Sequence, residues 1–230
     1  MDWLIDYYNW RIVSQYTGQF ATGLANTLIA AGVSLVLSVL AGIPLALARM
    51  SPRAAVWRPV AGYVQFIRST PLLVQIYLVY YAVPMLVPGA KGWSEMLLGI
   101  LAMTLHHAAY MSEIIRVGIE SVPRGQIEGA KACGMNYHQR LRYVVLPQAF
   151  ANTLPPLLGQ TAVLIKDTSL LSLITVFELV AAGVQMNSDR IVPTESFLTI
   201  AAGYLLIYAV MLMLSRGVSL WLAGPAWNAR

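Results

Sequence analysis

The 230 residues are 58% hydrophobic and only 11% charged, with a mean hydropathy of +0.64; one soluble core cannot hide that much apolar surface, which excludes an ordinary globular domain and requires contact with lipid. The formal charge of +5 comes from basic residues dispersed between apolar runs, without a dense basic patch carrying interleaved aromatics, so it speaks for orientation in a membrane and against nucleic acid. The single cysteine, Cys133, excludes an intramolecular disulfide and a cysteine-cluster metal site.

The chain reads as an all-α integral membrane protein, one transmembrane domain over 1–230 with five spans. Each needs about 20 apolar residues to cross a hydrocarbon layer of roughly 30 Å. Met1 to Trp10 carries Asp2 and Asp6 with no basic cluster, so the first span is expected to act as its own insertion signal. That span, 20–48, has no formal charge between Arg11 and Arg49. The second, 69–88, follows a stretch from Pro52 to Ile67 whose Trp57, Arg58 and Tyr63 suit an interfacial elbow. The third, 96–118, is less apolar, with His106, His107, Tyr110 and Glu113. The fourth, 152–176, carries Pro155, Gln160, Lys166 and Asp167 and is too polar to face lipid all round. The fifth, 197–222, ends with Arg216 and Trp221, and Tyr7, Tyr8, Trp10, Trp93 and Trp221 read as interface anchors.

Basic residues set the orientation. Arg49, Arg53 and Arg58 lie between spans one and two, and Arg116, Arg124, Lys131, Arg140 and Arg142 at or between the ends of spans three and four, whereas the other side receives Arg11, Lys91 and Arg190, the last beside Asp189. The richer loops should be cytoplasmic, which puts the N-terminus outside and the C-terminus, with Arg216 and Arg230, inside.

The loop 120–147 is long for a connection in a helix bundle, which suggests a task of its own. Gln126 to Cys133 can form two helical turns, stopped by Gly134, the residue that most readily takes the left-handed conformation. Asn136 can then cap a second helix, with Gln139 completing a capping-box pair. A helix, a tight turn and another helix are expected at the membrane surface.

Glu128-Gly-Ala-Lys-Ala-Cys-Gly134 followed by Val145-Leu-Pro147 resembles the "EAA" loop of bacterial ABC importer permeases, with Gly129 where the first alanine is usual. Phe66-Ile-Arg-Ser-Thr-Pro-Leu-Leu73, Ala109-Tyr-Met-Ser-Glu113, Pro123-Arg-Gly-Gln126, Leu146-Pro-Gln-Ala149 and Lys166-Asp-Thr-Ser-Leu170 resemble the polar-amino-acid branch, the histidine, glutamine, arginine and opine type. The resemblance implies a type I ABC importer permease-like bundle in the bacterial inner membrane with a cytoplasmic coupling helix. Gln126, Glu128, Gly129, Ala130, Gly134 and Asn136 then belong to the segment that docks on a cytoplasmic ABC ATPase. It further implies a second permease subunit, in a homodimer or heterodimer, and an extracytoplasmic solute-binding protein. No Gly-rich phosphate loop is present, so ATP and Mg are expected on the partner ATPase, with no cofactor bound by this chain and no catalysis by it.

Ionisable groups at membrane depth are costly and normally face a cavity or a partner. Arg68, Glu113, Gln160, Lys166, Asp167, Thr168 and Ser169 are therefore the residues to weigh as a substrate pathway. The plainer alternatives are that Lys166 and Asp167 neutralise one another, that Glu113 pairs with Arg116 or Arg68, and that Thr168, Ser169 and Gln160 mediate helix packing. His106 and His107 read as a packed or interfacial pair, because adjacent helix residues diverge and no carboxylate ligands accompany them. Cys133 reads as a small packing residue. A stand-alone channel or secondary transporter would account for the spans but not for the loop. An intramembrane hydrolase using Ser169, His107 or Asp167 has no nucleophile motif behind it.

Overall fold

The computed structural model describes residues 8–227, with side chains through residue 217, and among them there are helices and no strands. Tyr7 and Arg230, and the side chain of Trp221, lie outside what is described. In chain order the α-helices are α1 (Trp10–Gln15), α2 (Thr17–Arg49), α3 (Ala54–Ser69), α4 (Leu72–Leu86), α5 (Glu95–Glu120), α6 (Arg124–Ala132), α7 (Tyr137–Arg140), α8 (Leu146–Asp167), α9 (Leu179–Arg190) and α10 (Pro193–Trp227).

The longer helices are built inside out relative to those of a soluble protein. From Gly23 onward the buried positions on α2 are small or weakly polar, among them Gly23, Thr27, Ala30, Ser34, Ser38, Gly42 and Ala46, which recur every three or four residues. The large apolar side chains Leu28, Val36, Leu40 and Leu47 point outward and are about half exposed. Such a helix packs through its small face by van der Waals contact and short hydrogen bonds, and leaves its bulky face outward. On α10, Leu205, Leu206, Met213 and Leu214 are similarly exposed.

Among the described residues three stretches are long and apolar enough to cross a membrane, Thr17–Arg49, Tyr137–Ile174 and Pro193–Gly217, and the pair α3 and α4 makes a fourth if taken as one broken span. The break falls at Thr70, which takes the extended backbone favoured before a proline, here Pro71. The expected third span, 96–118, corresponds to α5, which has the length but not the apolar character. His106, His107, Glu113 and Arg116 lower its hydropathy, and most of its residues from Leu98 to Ser112 are buried by protein, so little of α5 has to satisfy lipid.

The described residues divide into two units. The first comprises residues up to Leu35, Leu72–Met103 and Ala162–Leu214, and the second Val36–Pro71, Thr104–Thr161 and the residues from Ser215.

In the first unit, Val13, Tyr16, Phe20, Ile76, Met103, Leu171 and Met186 belong to one buried cluster. The amino-terminal end is tied to the corner between α9 and α10: the Tyr16 hydroxyl donates to Asp189 at 3.1 Å and Arg190 donates to the Gln15 amide oxygen at 2.8 Å. Beyond α8 the helix tightens to a 3-10 form over Thr168–Ile174 and stops at Thr175, whose φ of 65° is left-handed. The expected fourth span therefore changes helix type at Thr168.

In the second unit, Val64 and Ile67 of α3 pack on Ala109 of α5. The Tyr63 hydroxyl donates to the Leu105 carbonyl at 2.6 Å, so Tyr63 ties α3 to α5. The second surface helix of the loop is also different from expectation. It is a single turn, α7, and it continues through a π-helical turn, Leu141–Val145, into α8. Pro147, which lacks an N–H, follows that widened turn.

Candidate functional site

Two places in the second unit gather the sequence-derived residues. The first is the loop between α5 and α8. Pro123 precedes α6, which starts two residues earlier than expected, at Arg124. At its other end the Gly134 N–H donates to the Lys131 carbonyl at 2.9 Å and the Met135 N–H to the Ala130 carbonyl at 3.1 Å, with Gly134 at φ 76°. This pair of bonds is the Schellman arrangement, and it requires the left-handed residue that glycine supplies. Asn136 follows at once as the cap of α7, accepting from the Gln139 N–H at 3.0 Å while its own N–H donates to the Gln139 side chain at 2.9 Å. Arg140 closes the turn by donating to the Met135 carbonyl at 2.6 Å.

Ala130 is the buried residue of α6, whereas Gln126, Glu128, Gly129, Gly134 and Asn136 are exposed. Among the described residues Glu128 has no ion-pair partner. Cys133, expected to pack, is exposed instead, because it occupies the helix end just before the glycine turn. A side chain at Gly129 would meet nothing within 4 Å. Gly129→Ala should therefore stabilise α6 by about 0.5–1 kcal/mol through helix propensity alone. The expected result is a small rise in the unfolding temperature of the purified protein, with transport retained.

The loop springs from two helices that touch at its base. Gly118 of α5 lies against Thr153 of α8, and a Cβ at Gly118 would overlap the Thr153 hydroxyl. Thr153 donates to the Ala149 carbonyl at 2.6 Å, and Asn152 donates to Ser121 at 2.9 Å.

The second place is an open cleft of about 690 Å³ lined by Arg68, Glu113, Val117, Ser121, Asn152 and Pro155, among others. Glu113 is held on both oxygens: Arg49 donates to Oε1 at 3.1 Å, and Arg116 to Oε1 at 3.3 Å and to Oε2 at 2.8 Å. Arg116 also reaches Glu120 at 2.5 Å. The expected Arg116 partner is thus present, but the second arginine is Arg49 of α2 and not Arg68. Arg68 is exposed and its guanidinium lies 5.5 Å from the centre of the Tyr110 ring.

The remaining sequence-derived residues do not gather in that cleft. Gln160 lies 3.1 Å from His107 Nδ1. The two histidine rings meet edge to face at 5.0 Å and are buried, a packed pair as expected. No group of three or more metal-ligating side chains exists among the described residues. In the first unit Lys166 is exposed, Asp167 and Ser169 are half-buried, and Thr168 is fully buried, donating to the Ile165 carbonyl at 2.7 Å.

The sequence reading passed over Glu178. It is fully buried and caps α9, accepting from the Val180 and Ala181 N–H groups at 2.9 and 2.8 Å and from the Tyr204 hydroxyl at 3.0 Å. Its neighbours are fixed from α2, where Asn26 donates to the Phe177 carbonyl at 2.7 Å and Thr27 accepts from the Leu179 N–H at 3.1 Å. Gly23 leaves room for this crossing, since a Cβ there would stand 2.8 Å from the Glu178 carbonyl oxygen.

Residues 34–223 match the family described as "Binding-protein-dependent transport system inner membrane component". The chain is 40% identical over 227 residues to the nopaline transport system permease protein NocM of Agrobacterium fabrum, covering 96% of this chain and 94% of that one. It is 35% identical to the probable amino-acid ABC transporter permease protein PatM of Vibrio harveyi, over 86% of this chain and 87% of that protein. Among solved structures it superposes on a chain of an amino acid ABC transporter crystallised with histidines, with a TM-score of 0.84 at 30% identity, covering 92% of this chain and 97% of the other.

Proposed function

The chain belongs to the family of inner membrane components of binding-protein-dependent transport systems, and from that premise we propose that it forms the pathway by which a polar amino acid or related solute enters a bacterial cell. It is a multi-pass membrane protein and a permease subunit of an ABC transporter. It is not itself a catalyst, and it works with an ATPase and a binding protein. The observation that carries the choice of solute class is the likeness, over nearly the full length, to permeases named for nopaline and amino-acid transport.

In this reading Gln126 to Asn136 is the surface that meets the ATPase, which holds ATP and Mg. The physical support is stiffness. A helix whose carboxyl end is closed by a Schellman turn and followed immediately by a capping box is stiff at that end, so a push on it moves the helices behind it in place of bending the turn. Glu128 stands exposed on that helix as a charge available to a partner. A second permease subunit completes the pathway, lipid covers the outward apolar faces of α2 and α10, and the N-terminus lies outside with the C-terminus in the cytoplasm. The pathway residues are Arg68 and Glu113 at the cleft and Gln160, Lys166, Asp167, Thr168 and Ser169 further along α8 and the 3-10 turn.

The test is uptake of labelled amino acids into proteoliposomes containing the permease, its ATPase and its binding protein. Wild type should accumulate solute only with ATP inside the compartment that holds the ATPase. Gly134→Val, which forces a branched side chain into the left-handed conformation at a cost of roughly 1–2 kcal/mol, and Glu128→Ala should lose most uptake while the protein stays folded. Transport that persists without the ATPase identifies a channel or a secondary carrier and overturns the reading.

A further inference from the structure

The charges around the cleft of the second unit are not evenly matched. Arg49, Glu113, Arg116 and Glu120 satisfy one another in a closed set of ion pairs. Arg68 is the charge left over: among the described residues no carboxylate pairs with it and it makes no hydrogen bond. Its contact is with the Tyr110 ring at 5.5 Å. A guanidinium lying over an aromatic ring uses the face of its plane, and its in-plane N–H donors stay available as a fork that matches a carboxylate. The other polar groups on the wall are neutral. Ser121 donates to the Gly118 carbonyl at 2.8 Å and receives the Asn152 amide, which leaves the Asn152 carbonyl oxygen as an acceptor toward the cleft. Val117, Pro155 and Pro156 supply apolar wall, and a volume of about 690 Å³ is ample for an amino acid.

We propose that Arg68 receives a carboxylate of the transported solute, and that the cleft therefore favours zwitterionic and acidic solutes over basic ones. This rests on the reading of the chain as an amino-acid permease. An ammonium group finds only the neutral Asn152 oxygen, since both oxygens of Glu113 are already taken by Arg49 and Arg116. A side-chain cation meets no spare negative charge and is repelled by Arg68. A second carboxylate is attracted by it.

The experiment uses the whole reconstituted transporter with its ATPase and binding protein. Uptake of labelled glutamate, glutamine and arginine is measured, each divided by the fraction of binding protein it loads. Wild type should turn over glutamate and glutamine faster than arginine. Arg68→Gln should lower the first two by about tenfold or more, the scale of one charge-assisted hydrogen-bonded pair, while the purified variant keeps the wild-type unfolding temperature. Arg68→Lys should fall between, because it keeps the charge and loses the fork, and Arg68→Glu should move the preference toward arginine. Equal turnover of all three by wild type, or wild-type uptake by Arg68→Gln, overturns the inference and leaves the permease reading intact. If wild type moves none of the three while ATP-driven uptake of another solute is found, the inference falls and the permease reading stands. The class preference of wild type needs no variant, so the inference stays open to refutation even where a substitution disturbs the fold.

Discussion

Gly118→Ala is expected to destabilise the protein, although alanine is the better helix former. Propensity alone would favour alanine by about 1 kcal/mol. Against this, the added Cβ falls on the Thr153 hydroxyl and lies 3.3 Å from the Ala149 carbonyl oxygen. Backbone on that side cannot rotate away, so α5 and α8 must separate, and overpacking of this kind costs typically about 1–3 kcal/mol. If Thr153 turns aside instead, it gives up its 2.6 Å bond to Ala149, a further cost of about 1 kcal/mol. The clash exceeds the propensity gain, and Gly118→Val should be worse. Because α5 and α8 are the two helices from which the α6 turn springs, parting them should also loosen transmission from that turn. The measurement is thermal unfolding of the purified chain together with the number of solutes moved per ATP. Both should fall for Gly118→Ala, and Thr153→Ala in the same chain should restore part of each by removing the hydroxyl. An unfolding temperature at or above wild type for Gly118→Ala would show that the two helices do not approach as closely as the structure places them.

What could be read from the sequence was what local chemistry determines. Gly134 followed by Asn136 and Gln139 specifies a left-handed stop and a reciprocal cap within a few residues, and both are found. The apolar runs announce lipid contact, and the histidine pair without carboxylates announces packing. What escaped was set by contacts distant in sequence. Glu113 could be given Arg116 from helix spacing, but Arg49 lies 64 positions away and nothing in the letters favours it over Arg68. The α5 span is polar because protein surrounds it, a fact about neighbours. The exposure of Cys133 leaves no mark in the sequence, because a small residue at a helix end looks the same whether the end is packed or bare. Glu178 sits alone between two apolar segments. Its one local signal is an acidic residue at a helix start, and its burial depends on α2 and α10.

That burial makes Glu178 the other position where substitution should be severe. Its carboxylate does two separable things. It caps α9 through two backbone N–H groups, and it accepts the hydroxyl of Tyr204 from α10. Loss of a cap costs typically about 1 kcal/mol, and taking the carboxylate from the Tyr204 hydroxyl, which then keeps only Thr168 at 3.4 Å, costs about 1–3 kcal/mol. Glu178→Leu forfeits both and should destabilise by roughly 3–5 kcal/mol once the orphaned backbone donors are included. Glu178→Asp keeps an oxygen suited to capping but is one methylene too short to reach Tyr204, so it should fall in the middle. Glu178→Gln keeps the length and one acceptor oxygen and should be mildest. Tyr204→Phe removes the donor and the hydroxyl together, so it should cost less than Glu178→Asp, which leaves that hydroxyl only the long 3.4 Å contact with Thr168. Unfolding temperatures of the four variants, with the Glu178→Asp and Tyr204→Phe double variant to measure coupling, test the order. Strict additivity in the double variant would mean that the two side chains do not interact, and that Glu178 acts as a cap alone. Coupling of about 1 kcal/mol or more would establish that one carboxylate holds the start of α9 and the middle of α10 together, from a position where Thr27 and Asn26 of α2 fix the same turn.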